Sequence, residues 1–475
     1  MIKMRKPKNL IYCLLVCAIF ITSCGPGSKD DPTPPKPQAP AATQKVNKFI
    51  HDIMSDAYLW SVHLPEVDYK YEFDSKKYFD KILYKPDDKW SFLTDDVVAL
   101  DNSFKGTEKT FGYSLAFGTF SNTGNMFAIV RYVYPNTPAA EAGMKRGDLI
   151  VQLNGADITK NNYRDLLFKE SIDVTMGELT DSGISTGGTK QLTAKELTLD
   201  PVLIKKVIEH GGQKIGYLFY AQYIANFNNS IDAALSEFKA QNVDNVILDL
   251  RYNPGGGVNA ASHLCSSLAP TNVVNNTSQL ITFQWNDKYQ NYWKSEGRKD
   301  QLEVNFDNSV PVKMNLDKLF VLTGKGSASA SELTITGLKP YMNITTVGDT
   351  THGKYTASIT FRAKDVYKDQ ADYVESFKNW ALQPIVLRYA NSQGETDFKK
   401  GFAPNHYVKD ELLPAVALGE KNEPLLKEAL ERLTGTVVIA MKKASIQYPA
   451  YTIFDSGFSK FDKNKEVLHL GTFKK

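Results

Sequence analysis

Residues 321–354 of this 475-residue chain read VLTGKGSASASELTITGLKPYMNITTVGDTTHGK, and this stretch decides the fold. It opens on an apolar strand, turns at residues 324–326 and continues into a run of small residues, 327–331. The pattern predicts a helix that begins near Ser329, then a second apolar strand and a loop that ends at Lys354. A β-α-β unit of this kind would bring a serine at a helix N-terminus beside a lysine on the next loop.

Ser329 and Lys354 are therefore the candidate nucleophile and general base. An aliphatic hydroxyl is a weak nucleophile until a base removes its proton. The usual base is histidine, and of the seven histidines only His352 falls in this stretch. The alternative is a lysine that burial keeps neutral. Ser329 and Glu332 also fit a helix capping box, so the serines of the run could equally be caps. The free N–H groups of a helix N-terminus would suit an oxyanion, which favours the catalytic interpretation.

A second glycine-rich turn, DLRYNPGGG at residues 249–257, follows a predicted strand and precedes a predicted helix. It lacks the Lys-Ser/Thr pair of a phosphate-binding P-loop, and it has no G-x-G-x-x-G pattern, so a nucleotide site is disfavoured. We expect its backbone N–H groups to face a cleft. Asp249 and Arg251 are expected to form a partly buried ion pair or to bond loop carbonyls.

Residues 106–200 are predicted to be short strands separated by glycines, and they contain the pattern TPAAEAGMKRGD at residues 137–148. This segment resembles a PDZ domain of the bacterial protease type. The resemblance implies a groove that accepts a peptide C-terminus by β-augmentation. The N–H groups of Phe111, Gly112 and Tyr113 would hold the terminal carboxylate. The alternative is a PDZ-like spacer with a closed groove.

These motifs occur in the order found in the carboxyl-terminal processing (tail-specific) proteases, which the chain resembles over residues 105–435. The family's serine/lysine dyad is separated by 25 residues, as are Ser329 and Lys354 (354 − 329 = 25). The resemblance implies a crotonase-like β-β-α core, with Ser329 as the nucleophile and Lys354 as the general base. It rests on the PDZ segment and on three further motifs, GSASASE at 326–332, GDTTHGK at 348–354 and DLRxNPGG at 249–256.

The resemblance also implies an oxyanion hole made by the N–H of Ala330 and that of Gly255 or Gly256. One position departs from the family, which commonly has a glutamine four residues after the lysine to orient it. Here that residue is Ser358, which would bond the amine directly or through water. The Pro-Asp of a later family motif is also changed, to Pro-Asn at residues 404–405.

The predicted function is that of a serine endopeptidase acting on polypeptides, without a metal or cofactor. The alternative is a catalytically silent, peptide-binding lipoprotein, which the change at Ser358 supports and the intact dyad disfavours. Acyl transfer to a non-protein substrate is a third possibility, disfavoured by the PDZ segment.

The N-terminus is typical of an exported lipoprotein. Residues 1–24 combine positive charges, an apolar run too short for a comfortable membrane span, and ITSC, which resembles a lipobox with Cys24 as the lipidated residue. An ordinary signal peptide or an uncleaved anchor is the alternative. The proline-rich residues 25–44 are predicted to be an extended tether. We therefore expect a membrane-anchored lipoprotein in the periplasm, in the outer membrane or on the cell surface.

Composition limits the remaining possibilities. The formal charge of +3 includes four positive residues of the leader, which leaves −1 for the rest (3 − 4 = −1), so no basic field favours nucleic acid. Cys265, the one cysteine after Cys24, excludes a disulfide framework and is expected to be a small core residue rather than a nucleophile. The oligomeric state is not predicted.

The expected class is a multi-domain α/β protein. Residues 45–105 should form a small helical domain with a core of aromatic residues, Trp90 among them, although a binding role for these aromatics is the alternative. Its Tyr-Leu-Trp at 58–60 is similar to lipoprotein members of the family from Bacteroidetes-type bacteria. Residues 106–200 should be the PDZ domain, with a long flexible hairpin loop at 177–190. Residues 201–435 should be the protease core, and 436–475 a C-terminal tail with a β-rich stretch at 436–440.

Overall fold

The computed structural model describes residues 36–180, 183–439, 450–455 and 469–472. The predicted signal sequence with Cys24, and residues 25–35 of the predicted tether, lie outside the described residues. The rest builds three large sheets, two of them mixed and one antiparallel, with helices packed against them, so the predicted multi-domain α/β class is confirmed. In the part of the chain that the structure describes, no helix is both long and apolar enough to cross a bilayer.

The N-terminal part is mostly helical but also supplies a strand to the core. Its elements are α1 (Ala41–Ala57), α2 (Ser75–Ile82), β1 (Phe92–Thr94) and α3 (Val97–Phe104). Strand β1 pairs with a core strand, Phe92 lying opposite Gln383. The aromatic residues Tyr58, Tyr78 and Phe79 are buried in a cluster that also includes core residues. The helical domain and the core therefore share one apolar interior.

Helix α1 begins inside the predicted tether. Residues 41–44 are helical, with Pro40 at the N-cap, where the missing proline N–H costs no helical hydrogen bond. Ala39 is buried and its N–H donates to the carbonyl of Lys70. The prediction of an extended tether up to residue 44 is therefore wrong for these residues. The buried face of α1 begins at Val46, and residues 41–44 add one more helical turn before it.

The predicted PDZ segment folds around one antiparallel sheet, with a separate two-stranded ribbon at its ends. Strands β3, β4, β5, β7 and β8 are neighbours in that order, β6 pairs with β5, and β2 pairs with β9. The elements are β2 (Thr107–Thr110), β3 (Tyr113–Phe120), β4 (Met126–Val133), α4 (Pro138–Glu141), β5 (Leu149–Leu153), β6 (Ala156–Asp157), α5 (Asp165–Phe168), β7 (Ser171–Thr180), β8 (Gly183–Thr193) and β9 (Lys195–Thr198).

The predicted flexible loop is wrong for its described residues, 177–180 and 183–190. They belong to strands β7 and β8, with Thr175 opposite Thr189 and Gly177 opposite Thr186. The β-branched residues of this segment favour strands. Gly188 lies on the edge strand β8, where the absence of a side chain costs no packing, since a Cβ there would meet no atom within 4 Å.

Residues 201–435 build the core from two sheets and the helices that pack on them. The strands are β10 (Val202–His210), β11 (Gln213–Tyr220), β12 (Asn245–Asp249), β13 (Gln279–Trp285), β14 (Glu303–Asn305), β15 (Lys318–Thr323), β16 (Asn343–Gly348), β17 (Thr356–Arg362), β18 (Ala381–Gln383), β19 (Ile385–Asn391) and β20 (His406–Tyr407). The helices are α6 (Asn228–Ala240), α7 (Val258–Leu268), α8 (Thr271–Asn275), α9 (Asp287–Ser295), α10 (Ala330–Leu338), α11 (Ala363–Val366), α12 (Ala371–Val374) and α13 (Pro424–Thr434).

The topology of the core brings three loops together. One sheet has the order β10-β11-β12-β15-β16-β20 and is parallel from β11 onward. Helices α7 and α10 pack between it and the sheet β1-β18-β17-β19-β13-β14, forming the largest apolar core. Because β12, β15 and β16 are parallel neighbours, the loops that follow them, 250–257, 324–329 and 349–355, lie at one edge.

Two described segments of the predicted C-terminal tail, 450–455 and 469–472, contribute strands to two sheets. Strand β21 (Tyr451–Asp455) pairs with β3, and β22 (His469–Thr472) pairs with β17. Residues 436–439 of the predicted β-rich stretch form no strand, and residue 440 lies outside the described residues. Both pairings join residues that are far apart in sequence, which local patterns do not reveal.

Candidate active site

Ser329 lies at the N-terminus of α10 in a backbone conformation that L-residues rarely adopt. Its φ of 57° and ψ of −109° lie outside the usual regions. The side chain is buried, and its Oγ has no hydrogen-bond partner among the described residues. A strained backbone and an unpaired buried hydroxyl both carry a free-energy cost, which is typical of a site maintained for chemistry.

The two neighbouring serines have structural roles. The Ser327 hydroxyl donates to the carbonyl of Leu250 at 2.8 Å, and the Ser331 hydroxyl donates to that of Asn253 at 2.9 Å. Both bonds fasten the start of α10 to the glycine-rich turn. Ser329 is thus the serine of this run whose hydroxyl remains available.

Glu332 joins the serine loop to the lysine loop. Its Oε2 accepts the backbone N–H of Ser329 at 2.9 Å and that of Lys354 at 2.8 Å. Its Oε1 accepts the N–H of Gly353 and the hydroxyl of Thr351, both at 2.6 Å. Burial raises the pKa of this carboxyl, while the four donated hydrogen bonds act in the opposite direction. The sequence suggested only the bond to Ser329, as half of the capping box.

Lys354 is completely buried. The hydroxyl of Tyr389, on β19, lies 3.0 Å from the Lys354 carbonyl and 3.1 Å from the Ser329 carbonyl. Together with Glu332, this contact holds the backbones of the two candidate catalytic residues next to each other from both sides. Tyr389 was not among the sequence-predicted site residues.

Trp90 of the N-terminal part, which the sequence predicts to belong to an aromatic core with a binding role as the alternative, covers the lysine amine. Its ring centroid lies 5.6 Å from Lys354 Nζ, within the range of a cation–π contact. The indole is buried. The carboxylate of Asp88 accepts hydrogen bonds from the backbone N–H groups of Trp90 and Ser91. The Ser91 hydroxyl in turn accepts the N–H of Ile385. The N-terminal part therefore forms one wall of the site.

The predicted oxyanion residues lie against the serine. A Cβ added to Gly255 would be 2.7 Å from Ser329 Cβ and 2.9 Å from the Ala330 nitrogen. The Gly255 N–H already donates to Asn253 Oδ1 at 2.9 Å. The N–H groups of Gly256 and Ala330 make no hydrogen bond among the described residues. Of the predicted donors, these two are the ones available for an oxyanion.

Ser358, at the position where the family has glutamine, is buried on β17 beside a bulge in the pairing with β19. A glutamine does lie nearby, on the neighbouring strand β18. Gln383 is completely buried and its Nε2 donates to Thr360 Oγ1 at 2.6 Å, two residues beyond Ser358. Its Oε1 has no hydrogen-bond partner among the described residues.

Asp249 and Arg251 form an ion pair, as the sequence predicted, but it is fully rather than partly buried. The pair is extended by Glu423, whose carboxylate accepts from Arg251 Nη1 and Nη2 at 2.6 and 2.8 Å. Burial raises the pKa of Asp249 despite the arginine. This network fixes the first residues of the glycine-rich turn.

Cys265 is buried in the main core, as predicted for a structural residue. Burial raises the pKa of its thiol to about 12, so little thiolate forms at neutral pH.

The predicted peptide-binding residues lie at the start of β3. Phe111 is buried, and Gly112 has a φ of +85° with Thr137 so close that a Cβ would be 2.2 Å from Thr137 Cβ. The Gly112 N–H donates to Thr110 Oγ1 at 3.1 Å, and the Tyr113 hydroxyl donates to the carbonyl of Leu166 at 2.7 Å. A cavity of about 340 Å³ adjoins this loop. It is lined by residues of α3, β2, β3, β4 and α5, among other segments, and by two residues of the glycine-rich turn, Tyr252 and Pro254.

Comparison with protein families gives three adjacent matches. Residues 214–408 match peptidase family S41, residues 45–92 match the peptidase S41 N-terminal domain, and residues 129–172 match a PDZ domain. Each match falls in a separate part of the fold described above.

Individual relatives agree with these family matches. The chain is 25% identical over 314 residues to a carboxyl-terminal-processing protease of Synechocystis, a match that covers 65% of this chain and 66%, just under two thirds, of the relative. It is 24% identical over 372 residues to the carboxy-terminal processing protease CtpB of Bacillus subtilis, covering 73% of this chain and 68% of the relative. A crystal structure described as an S41 protease from Bacteroides fragilis superposes with a TM-score of 0.67 at 25% identity, covering 82% of this chain and 97% of that one.

Proposed function

The chain belongs to peptidase family S41, and we propose that it is a serine endopeptidase in which Ser329 is the nucleophile and Lys354 the general base. The observation that carries the proposal is the bridge made by Glu332, which accepts the backbone N–H groups of both residues. The unpaired Ser329 hydroxyl and the buried lysine add to it, because burial disfavours the ammonium form of lysine.

The proposed reaction follows from these placements. Neutral Lys354 takes the proton of the Ser329 hydroxyl as Oγ bonds to the carbonyl carbon of the scissile peptide. The N–H groups of Ala330 and Gly256 stabilise the oxyanion. Lys354 then gives the proton to the leaving amine as the C–N bond breaks. In the second half, Lys354 takes a proton from water, the hydroxide displaces Ser329 from the acyl carbon, and the serine regains its proton.

The proposal extends to substrate choice and location. The PDZ segment would select polypeptides by their C-termini, since β3 and the loop before it provide an edge for β-augmentation. The cavity between that loop and the glycine-rich turn supports this role. A lipid on Cys24 would hold the protein at a membrane of the cell envelope. The alternative, a silent peptide-binding lipoprotein, would rest on Ser358 in place of glutamine.

The test is cleavage of a pair of peptides that differ only in a free or an amidated C-terminus. The wild type should cleave the free-ended peptide with the higher kcat/KM, whereas Ser329→Ala should cleave neither. Ser331→Ala is the matched control, because it removes a neighbouring hydroxyl that only bonds the Asn253 carbonyl. Equal rates for the two peptides would refute selection by the C-terminus, and activity in Ser329→Ala would refute the nucleophile.

A further inference from the structure

The peptide-binding edge of the PDZ sheet is partly occupied by the chain itself. Strand β3 pairs with β4 on one side. On its other side it pairs antiparallel with β21, Tyr451 lying opposite Phe120 and Ile453 opposite Gly118. The N–H of Ser121 also donates to the carbonyl of Ala450 at 2.8 Å. A bound peptide would pair antiparallel with this same edge, its C-terminus toward Gly112, and β21 runs in that direction.

Side chains hold β21 in the groove as a ligand's side chains would be held. Tyr451 packs edge-on against Phe127, with ring centroids 5.8 Å apart, and Ile453 packs on the same apolar cluster. Phe454 contacts Tyr163, just before α5, with centroids 5.7 Å apart. Thus β21 lies between β3 and the segment leading into α5, which is where the groove continues beyond residues 113–116.

Gly118 permits this close approach. A Cβ at that position would be 2.5 Å from the Phe127 ring and 2.9 Å from the Thr452 carbonyl oxygen, so a larger residue would disturb both that ring and the pairing of β21. The remaining edge, residues 113–116, has no strand paired to it on that side among the described residues. That edge borders the cavity described above, which Tyr113 and Ser114 help to line.

We propose that β21 is an intramolecular ligand of the PDZ edge, so that a substrate must either bind with only about four C-terminal residues or displace β21. Four residues in a strand span ~13 Å, the length of residues 113–116. This inference rests on the proposed role of the PDZ segment in substrate selection. The preferred substrate class is then a polypeptide with a short unstructured C-terminus, and longer extended tails compete with β21.

The test compares Thr452→Pro with Thr452→Ala in the full-length Ser329→Ala protein, so that binding is measured without cleavage. Proline removes an N–H and disrupts strand pairing, while alanine keeps the backbone intact and changes an exposed side chain. Hydrogen exchange by mass spectrometry reports whether the Ser121 amide, which donates to Ala450, is protected, and the Phe120 amide, which donates to Asn125 in the β3–β4 hairpin, is the internal reference. Fluorescence anisotropy with labelled, denatured casein, a long disordered polypeptide, reports the Kd.

We expect the Ser121 amide to be protected in Thr452→Ala and to exchange at least tenfold faster in Thr452→Pro, which should bind casein at least fivefold more tightly. Absence of protection in Thr452→Ala would show that β21 does not pair with β3 in solution and would overturn the proposal. Faster exchange in Thr452→Pro without tighter binding would show that β21 only covers a strand edge, and would overturn it as well. Because catalysis is not measured, neither result depends on the proposed protease activity.

Discussion

Gly255 offers a sharp test of the site, because its missing side chain leaves the space in front of Ser329 open. In Gly255→Ala the new Cβ would lie 2.7 Å from Ser329 Cβ, 2.9 Å from the Ala328 carbonyl oxygen and 2.9 Å from the Ala330 nitrogen. Two of these three atoms belong to the backbone and cannot move alone. The φ of +102° adds strain for any residue with a Cβ.

The magnitude follows from these contacts. Backbone strain of this kind costs roughly 1–3 kcal/mol of the free energy of unfolding. The larger effect should be on catalysis, because the methyl group occupies the space beside the Ala330 N–H. Removing one oxyanion donor lowers kcat by about 10²–10³, or ~2.7–4 kcal/mol of transition-state stabilisation. We therefore expect kcat/KM on a free-ended peptide to fall at least 100-fold.

Gly257→Ala is the matched control. Gly257 has a φ of −73°, and a Cβ there would meet only the Tyr223 carbonyl oxygen, at 3.9 Å. This variant should keep kcat/KM within about twofold of the wild type, since no contact shorter than the ordinary van der Waals distance arises. Both variants should be checked by circular dichroism and urea unfolding. If folded Gly255→Ala retained more than a third of wild-type activity, the assignment of this space to the oxyanion would be refuted.

Three further predictions concern the wall, the base and the buried charges. Trp90→Ala should admit water to Lys354 and move the acid limb of the kcat/KM–pH profile to higher pH, because burial disfavours the ammonium form of lysine. Trp90→Phe should restore the profile, and an unshifted limb in Trp90→Ala would contradict this. Ser358→Gln should lower the free energy of unfolding by ~1–3 kcal/mol without raising kcat, because Ser358 is completely buried and a longer side chain overpacks the site. A large gain in kcat would contradict this and would show that Lys354 is poorly oriented in the native protein. Burial alone would raise the pKa of Asp410, but Arg146 and Arg251 lower it to about 2. This group should therefore contribute ~2 kcal/mol to the free energy of unfolding above pH ~4, and that contribution should be lost as the pH falls toward 2. In urea unfolding Asp410→Asn should remove it, whereas Asp95→Asn, which breaks an exposed pair with Lys76, should change stability by less than 1 kcal/mol.

The sequence predicted the parts of the site that lie on consecutive elements. The strands before Asp249, Gly324 and Asp349 were recognisable because their buried apolar runs are short and bounded by polar or glycine residues. The helix start at Ser329 followed from the small-residue run and from Glu332 three positions later. The parallel order of these strands then placed their loops at one edge of the sheet.

Contacts between distant residues were not predictable in the same way. Trp90 reaches Lys354 across 264 positions (354 − 90 = 264), and no local pattern distinguishes a tryptophan that covers a catalytic amine from one in an ordinary core. The hydrogen bonds that Glu332 accepts from the N–H groups of Gly353 and Lys354 depend on how the loop of residues 349–355 packs against α10. Strand β21 was missed because its exposed, mixed sequence acquires a partner only when the PDZ sheet has formed.

The predicted flexible hairpin loop differs from the structure for a different reason. Its glycines predict flexibility, but the threonines and isoleucine between them alternate in the manner of an edge strand, and strand pairing supplies the backbone hydrogen bonds that composition does not reveal.

The most direct test of the central claim is a double-mutant cycle on Ser329 and Lys354. Kinetics with the free-ended peptide would be measured for Ser329→Ala, Lys354→Met and the double variant, with Ser331→Ala as the control. When two residues act as one catalytic unit, the effects of substituting them on the rate are strongly non-additive. Each single variant should therefore fall to the same residual rate, and the double variant should fall no lower. Multiplicative losses, or substantial activity in either single variant, would contradict the proposal that Ser329 and Lys354 act together.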